Sequence, residues 1–237
     1  MHTASRARTV GFTLVELMVV VAIIAIVAAI AIPNLMSARL TSNETAAISN
    51  LRNIWIGQTQ FQASGYVDLD VDGAGEAGFL REMVGATGVR TVADGSATGR
   101  VLTPSAISGT FRTIDTNGAS GRSGYRFVLR LPDAAGMGVR ETQSGAFSGS
   151  VDPDLAETTF CVYAWPSAHS ATGNRTFFVN QAGDLSQTES ADYDGDAFHT
   201  AMTDGMAFAV GGDPNSITGG IASGTVGRDG NRWRPIN

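Results

Sequence analysis

The sequence predicts an α+β chain: one long N-terminal helix, apolar throughout its first half and amphipathic in its second, packed on an antiparallel sheet of about four strands. Three observations predict it. Residues 12 to 32 are apolar except for Thr13 and Glu16, residues 40 to 61 carry apolar side chains at helical spacing, and β-rich segments follow residue 124. The chain of 237 residues divides accordingly into a short basic segment (1–11), a membrane-spanning helix (12–35), an amphipathic stalk helix (36–64) and a globular body (65–237) long enough to bury its own core.

The apolar run comes first. From Phe12 to Ile32 are 21 residues, and a rise of about 1.5 Å per residue carries such a helix across the hydrocarbon layer. Arg6 and Arg8 precede it, so the positive-inside rule keeps the N-terminus cytoplasmic and sends the body across. A secretory signal is the alternative. Its apolar core is about 7–15 residues with small residues at the cut; Ala29-Ile30-Ala31 offers such a cut, but this run is longer. Glu16 stands out, because a carboxylate deep in a membrane costs about 2.5–3.5 kcal/mol and marks a function with a partner. The helix dipole and snorkelling relieve part of that cost near the helix start. Pro33 has no N–H to donate and is expected to bend or locally open the helix.

Gly11-Phe12-Thr13-Leu14-Val15-Glu16-Leu17, with Pro33 further along the same apolar helix, resembles the processing motif of type IV pilins and type II secretion pseudopilins. The resemblance implies that residues 1–11 are a leader, that a prepilin peptidase cuts after Gly11, and that the new N-terminal Phe12 is methylated. It implies a single-pass protein of the bacterial inner membrane with a periplasmic, pilin-like body. Its partners would be that peptidase and methyltransferase, an inner-membrane assembly platform, membrane lipid, and other pilin or pseudopilin subunits. In the family the glutamate pairs with the amine of a neighbouring subunit as the helices assemble into a pseudopilus or pilus, which gives Glu16 a partner; two opposite charges in low dielectric attract strongly. Ala25, Ala28, Ala29 and Ala31 would let such helices approach closely. The chain reads as a structural subunit rather than an enzyme. A second reading stays open: a membrane-anchored periplasmic domain that never polymerises and holds Ca²⁺ or another ligand.

Beyond Pro33, Leu40, Ala47, Leu51, Ile54, Trp55 and Phe61 form a stripe for a sheet to cover. Next, Asp68, Asp70, Asp72 and Gly73 follow the opening of an EF-hand loop. Glu76 falls at the ninth place, but Phe79 holds the twelfth, where the bidentate glutamate belongs. Two readings stand: a Ca²⁺ loop closed by oxygens from elsewhere, or an acidic Gly-rich turn. Asp192, Asp194 and Asp196 form a second acidic group, able to make its own site or assist the first. The resemblance adds that pseudopilins often use Ca²⁺ where pilins use a disulfide, which suits a chain with one cysteine. Residues 85–124 read as loop, and Asp152-Pro153-Asp154 as a turn. Segments 125–132 and 158–166 read as strands, and 175–188 as a hairpin turning at Asn180–Asp184. The tail from Ala201 reads as loops with an edge strand.

The remaining features exclude rather than assign. A net charge of −6 offers nothing to hold phosphates, so no nucleic-acid partner is expected. Cys161 lies in a strand-like run and reads as a small buried apolar residue. Of the three histidines, His2, His169 and His199, the first lies in the basic segment 1–11. His169 neighbours Ser167 and Ser170, but adjacency in a loop is not a triad. All 16 basic residues are arginine.

Overall fold

The computed structural model describes residues 12–143, 147–195 and 202–236. The chain divides into two compact units between Arg39 and Leu40, and helix α1, Leu14–Ala63, runs through both as 50 continuous residues. Among the described residues of the first unit nearly every side chain is exposed, including Leu14, Val19, Ile23, Ile26 and Ile30. The helix runs through Pro33 without opening there. That ring removes one hydrogen bond, to the Ala29 carbonyl, while Ser37 Oγ donates to the Pro33 carbonyl at 3.2 Å. Apolar residues on both sides keep the strong helical preference that a single proline does not overturn.

In the second unit, one face of α1 buries Ala47, Leu51, Ile54 and Phe61, as the periodicity predicts. Leu40 and Trp55 are half-buried at its margin. The partner surface is an antiparallel sheet larger than predicted. Its main strands are β4 (Tyr125–Pro132), β6 (Cys161–Pro166), β7 (Arg175–Asn180) and β8 (Leu185–Glu189). Three short strands extend it: β3 (Ser120–Arg122) and β5 (Gly138–Val139) pair with β4, and β9 (Arg234–Pro235) pairs with β8 as an edge strand. The β7–β8 hairpin turns at Asn180–Asp184, where the Asp184 N–H donates to Asn180 Oδ1 at 2.9 Å. Gly183 takes φ +82 there, and a Cβ on it would stand 2.9 Å from the Trp55 ring.

Two segments differ from expectation. Within 85–124 lies a small hairpin, β1 (Gly88–Arg90) with β2 (Thr98–Val101), preceded by the four-residue helix α2 (Leu80–Met83). These strands are too short and too glycine-rich to show a period in sequence, and a buried arginine fixes them instead. Asp152-Pro153-Asp154 opens a helix, α3 (Pro153–Thr158), with Asp152 Oδ1 accepting the Leu155 N–H at 2.9 Å. Asp at N-cap followed by Pro at N1 is a helix-start pattern.

Both faces of the sheet are apolar. Tyr125, Phe127, Leu129, Val162, Ala164, Phe177 and Val179 share one core with Ala47, Leu51, Ile54 and Phe61 of α1. The alternate residues Val128, Cys161, Tyr163, Trp165 and Phe178 lie under the C-terminal tail, which contributes Met206, Ala207, Phe208, Ile217, Ala222 and Trp233. The tail is therefore a second covering layer as well as an edge strand.

Truncating Leu51, which is fully buried, to alanine should cost about 2–5 kcal/mol. Ile56→Ala, at a position 55% exposed on the same helix, should stay within about 0.5 kcal/mol. Denaturant unfolding compares the two; equal costs would refute this docking of the helix.

Candidate functional site

The N-terminal candidate residues meet at the start of α1. Gly11 lies outside the described residues; Phe12 is described and 83% exposed. Because the helix begins at Leu14, Thr13 is its N-cap and Glu16 its third residue. The Thr13 N–H and hydroxyl both donate to Glu16 Oε2, at 2.9 and 2.7 Å, and the Glu16 N–H donates to Thr13 Oγ1 at 3.2 Å. This is a capping box. The Thr-x-x-Glu spacing of Thr13 and Glu16 is the sequence signal for it. Glu16 Oε1 takes no hydrogen bond among the described residues.

The acidic loop follows the other end of α1. Oxygens of Asp68, Asp70 and Asp72 lie within 4.8 Å of one another, and so do those of Asp70, Asp154 and Glu157. Asp70 belongs to both groups, so α3 adds two carboxylates that the sequence motif did not include. Asp68 Oδ1 and Glu157 Oε1 are buried atoms without a hydrogen-bond partner. Desolvation first, then repulsion from Asp72, pushes the Asp70 carboxyl up. Glu157 rises likewise, through desolvation and then Asp72, Asp70 and Asp154.

Glu76 is not part of this cluster. It is fully buried, and its Oε2 meets Arg90 Nη2 at 2.7 Å while Oε1 accepts the Leu69 N–H at 2.8 Å. Both oxygens are committed, which removes it as a ligand. Arg90 also reaches Glu82 through Nη1 at 2.8 Å, so one guanidinium anchors the loop to α2. Asp192 and Asp194 join no such group among the described residues, and Asp196 lies outside them. Asp192 Oδ2 accepts from Ser190 Oγ at 3.0 Å. Asp194 Oδ1 accepts the main-chain N–H of His169 at 2.7 Å.

The His169 ring stands 3.0 Å from Ser170 Oγ, exposed, with Asp194 on its backbone rather than on the imidazole. That arrangement has no orienting acid for the ring. His199 lies outside the described residues. Cys161 is buried, and burial pushes its thiol well above the usual range, so it is a poor nucleophile.

Comparison with known proteins adds the following. Residues 11–32 match the family described as Prokaryotic N-terminal methylation motif. Residues 28–200 match the family described as Protein of unknown function (DUF2950). Over 86 residues the chain is 43% identical to the Type IV major pilin protein PilA of Myxococcus xanthus, covering 36% of this chain and 38% of that one. Over 52 residues it is 48% identical to the Type IV wide pilus major component PilA4 of Thermus thermophilus, covering 22% and 40%. The chain thus spans about two-fifths of the length of these curated relatives. No solved structure matches it.

Replacing Arg90 with methionine would strand Glu76 and Glu82 in a dry contact. A loss of about 3–5 kcal/mol is expected from removing one partner of a buried ion pair, read by denaturant unfolding; a loss under about 1 kcal/mol would show that the network carries no such constraint.

Proposed function

We propose, from the premise that this chain belongs to the type IV pilin and pseudopilin family and, over residues 28–200, to the DUF2950 family, that it is a filament subunit cut after Gly11 and polymerised through α1. One observation carries the reading: in its first unit α1 exposes an apolar surface over residues 17–33 with a single carboxylate at its head. Such a surface suits lipid before assembly and neighbouring helices after it. One oxygen of Glu16 caps its own helix, and the other is left for the charged amine of a neighbour's Phe12. Capping keeps the carboxylate in place while the subunit is alone, and pairing between chains then rewards assembly. The named relatives are both components of type IV pili, which favours a pilus over a secretion pseudopilus. The peptidase, the assembly platform and a placement in the inner membrane with the body periplasmic come with this reading.

Glu16→Ala tests it. The cut after Gly11 should persist, seen as a mature chain beginning at Phe12 by N-terminal mass spectrometry. Incorporation into sheared filaments should fall at least tenfold, the effect of about 1.4 kcal/mol per contact. A mature chain starting at Ile32 overturns the processing. Unchanged incorporation favours instead a tethered domain that never polymerises.

A second reading, for the acidic loop, is a structural Ca²⁺ held by Asp68, Asp70, Asp72, Asp154 and Glu157. Its support is the shared position of Asp70 and the two buried, unpartnered oxygens. Carboxylate oxygens from two segments suit this hard cation, and binding would tie the turn after α1 to α3. The full chain in detergent should melt about 5–10 °C higher in Ca²⁺ at a hundred times its dissociation constant than in EDTA, following from about 2.7 kcal/mol of linkage. Asp70→Asn should abolish the difference. Superimposed melting curves would leave the cluster as an acidic turn.

A further inference from the structure

Around α2 the described residues bury three carboxyl groups, two of them on one guanidinium. Arg90 is 2% exposed and is divided between Glu76 and Glu82, with the Ala77 carbonyl accepting from Nη2 at 2.8 Å. Glu82 is equally committed: Oε1 accepts the Arg90 N–H at 2.7 Å, and Oε2 accepts the Phe79 N–H at 2.8 Å. The third carboxyl is Glu141, 5% exposed, just beyond β5. Its Oε2 lies 3.4 Å from the Arg81 N–H, and its Oε1 is buried without a hydrogen-bond partner. Arg81 directs Nη1 to the Gln143 carbonyl at 3.4 Å, and its charge offsets part of the cost of burying Glu141. An ionised Glu141 would be repelled by Glu82, with only the α2 N–H groups at Oε2 and the charge of Arg81 to offset its burial and with Oε1 unpaired. A neutral acid would not.

We propose that Glu141 is a proton-operated latch: as the neutral acid it holds residues 140–143 against α2, and on ionising it turns to water and releases that contact. The groups set against it are Arg81 and Glu82 on α2, with Arg90 and Glu76 behind Glu82. Burial first, and repulsion from Glu82 second, hold the latched carboxyl up at about 8, against 4.5 for a free glutamate. The sign follows from linkage. Stability from the latch is complete below the free value, falls as pH rises, and is lost through the latched value. Between those limits the released fraction grows about tenfold per pH unit, and above pH 8 it levels.

Hydrogen exchange of the full chain in detergent, from pH 5 to 9 and corrected for intrinsic rates, reads this directly. Protection of peptides covering residues 79–84 should fall about tenfold per pH unit and level near pH 8, while peptides from the sheet at 161–189 stay constant. Glu141→Gln keeps the shape but cannot ionise, and should hold protection flat throughout. A flat wild-type profile, or an equally steep Glu141→Gln profile, overturns the proposal. Should that variant fail to fold, the wild-type slope and plateau decide alone.

Discussion

One sheet with two apolar faces is the constraint on which the body of this protein depends. Each face must be removed from water by a different part of the chain. The second half of α1 takes one face, and the C-terminal tail takes the other. Because α1 buries polar residues along with its apolar stripe, its position is fixed by hydrogen bonds as well as by area. Glu44 accepts from the Asn174 N–H and pairs with Arg175 at 2.6 Å. Gln58 exchanges two bonds with Gly78, donating to its carbonyl at 2.6 Å and accepting from its N–H at 2.9 Å. A helix slid along the sheet would keep much of its apolar burial but leave these groups unsatisfied, at about 1–3 kcal/mol each. Apolar area therefore drives the docking, and the polar groups choose its register.

The same division explains what could be read in the sequence. Period and turn chemistry are local, so the long helix, the four main strands and the Asn180–Asp184 turn were legible. The tail was harder. Its apolar residues, from Met206 to Trp233, follow no period because they sit in turns, and only the opposing strand face gives them away. Val128, Tyr163, Trp165 and Phe178 are too apolar for a solvent face, and a covering layer could have been inferred from that alone. The β1–β2 hairpin depends on Arg90, whose partners Glu76 and Glu82 are visible only in three dimensions. For the acidic loop, the motif supplied Asp68, Asp70 and Asp72. It could not supply Asp154 and Glu157, which the fold returns from about eighty residues later.

Carboxylates show how context overrules motif. Glu76 sits where a ligand loop would want it, yet burial beside Arg90 commits it to an ion pair. Asp154 has no motif, yet it stands against Asp70. Arginine suits this role because its planar fork satisfies two carboxylates at once, as Arg90 does, and keeps its charge when buried. A lysine would offer one point charge to the same pair. The all-arginine composition thus has a structural use at this site, although nothing in the fold requires it at exposed positions.

The two units answer opposite demands on apolar surface. In the body, large apolar side chains are mostly buried, and polar groups such as Arg90, Glu76, Glu82 and Gln58 find partners within the chain. In the first unit the apolar side chains are exposed along the helix, and among the described residues of the unit nothing covers them. A surface of that extent is stable only in lipid or against other helices. In either setting the head of the helix needs its unpaired N–H groups satisfied, because water is scarce there. Thr13 and Glu16 meet part of that need from within the chain, which makes the carboxylate tolerable before any neighbour arrives. The proposed intersubunit pair therefore adds to a group already held in place, rather than having to order it at the moment of assembly.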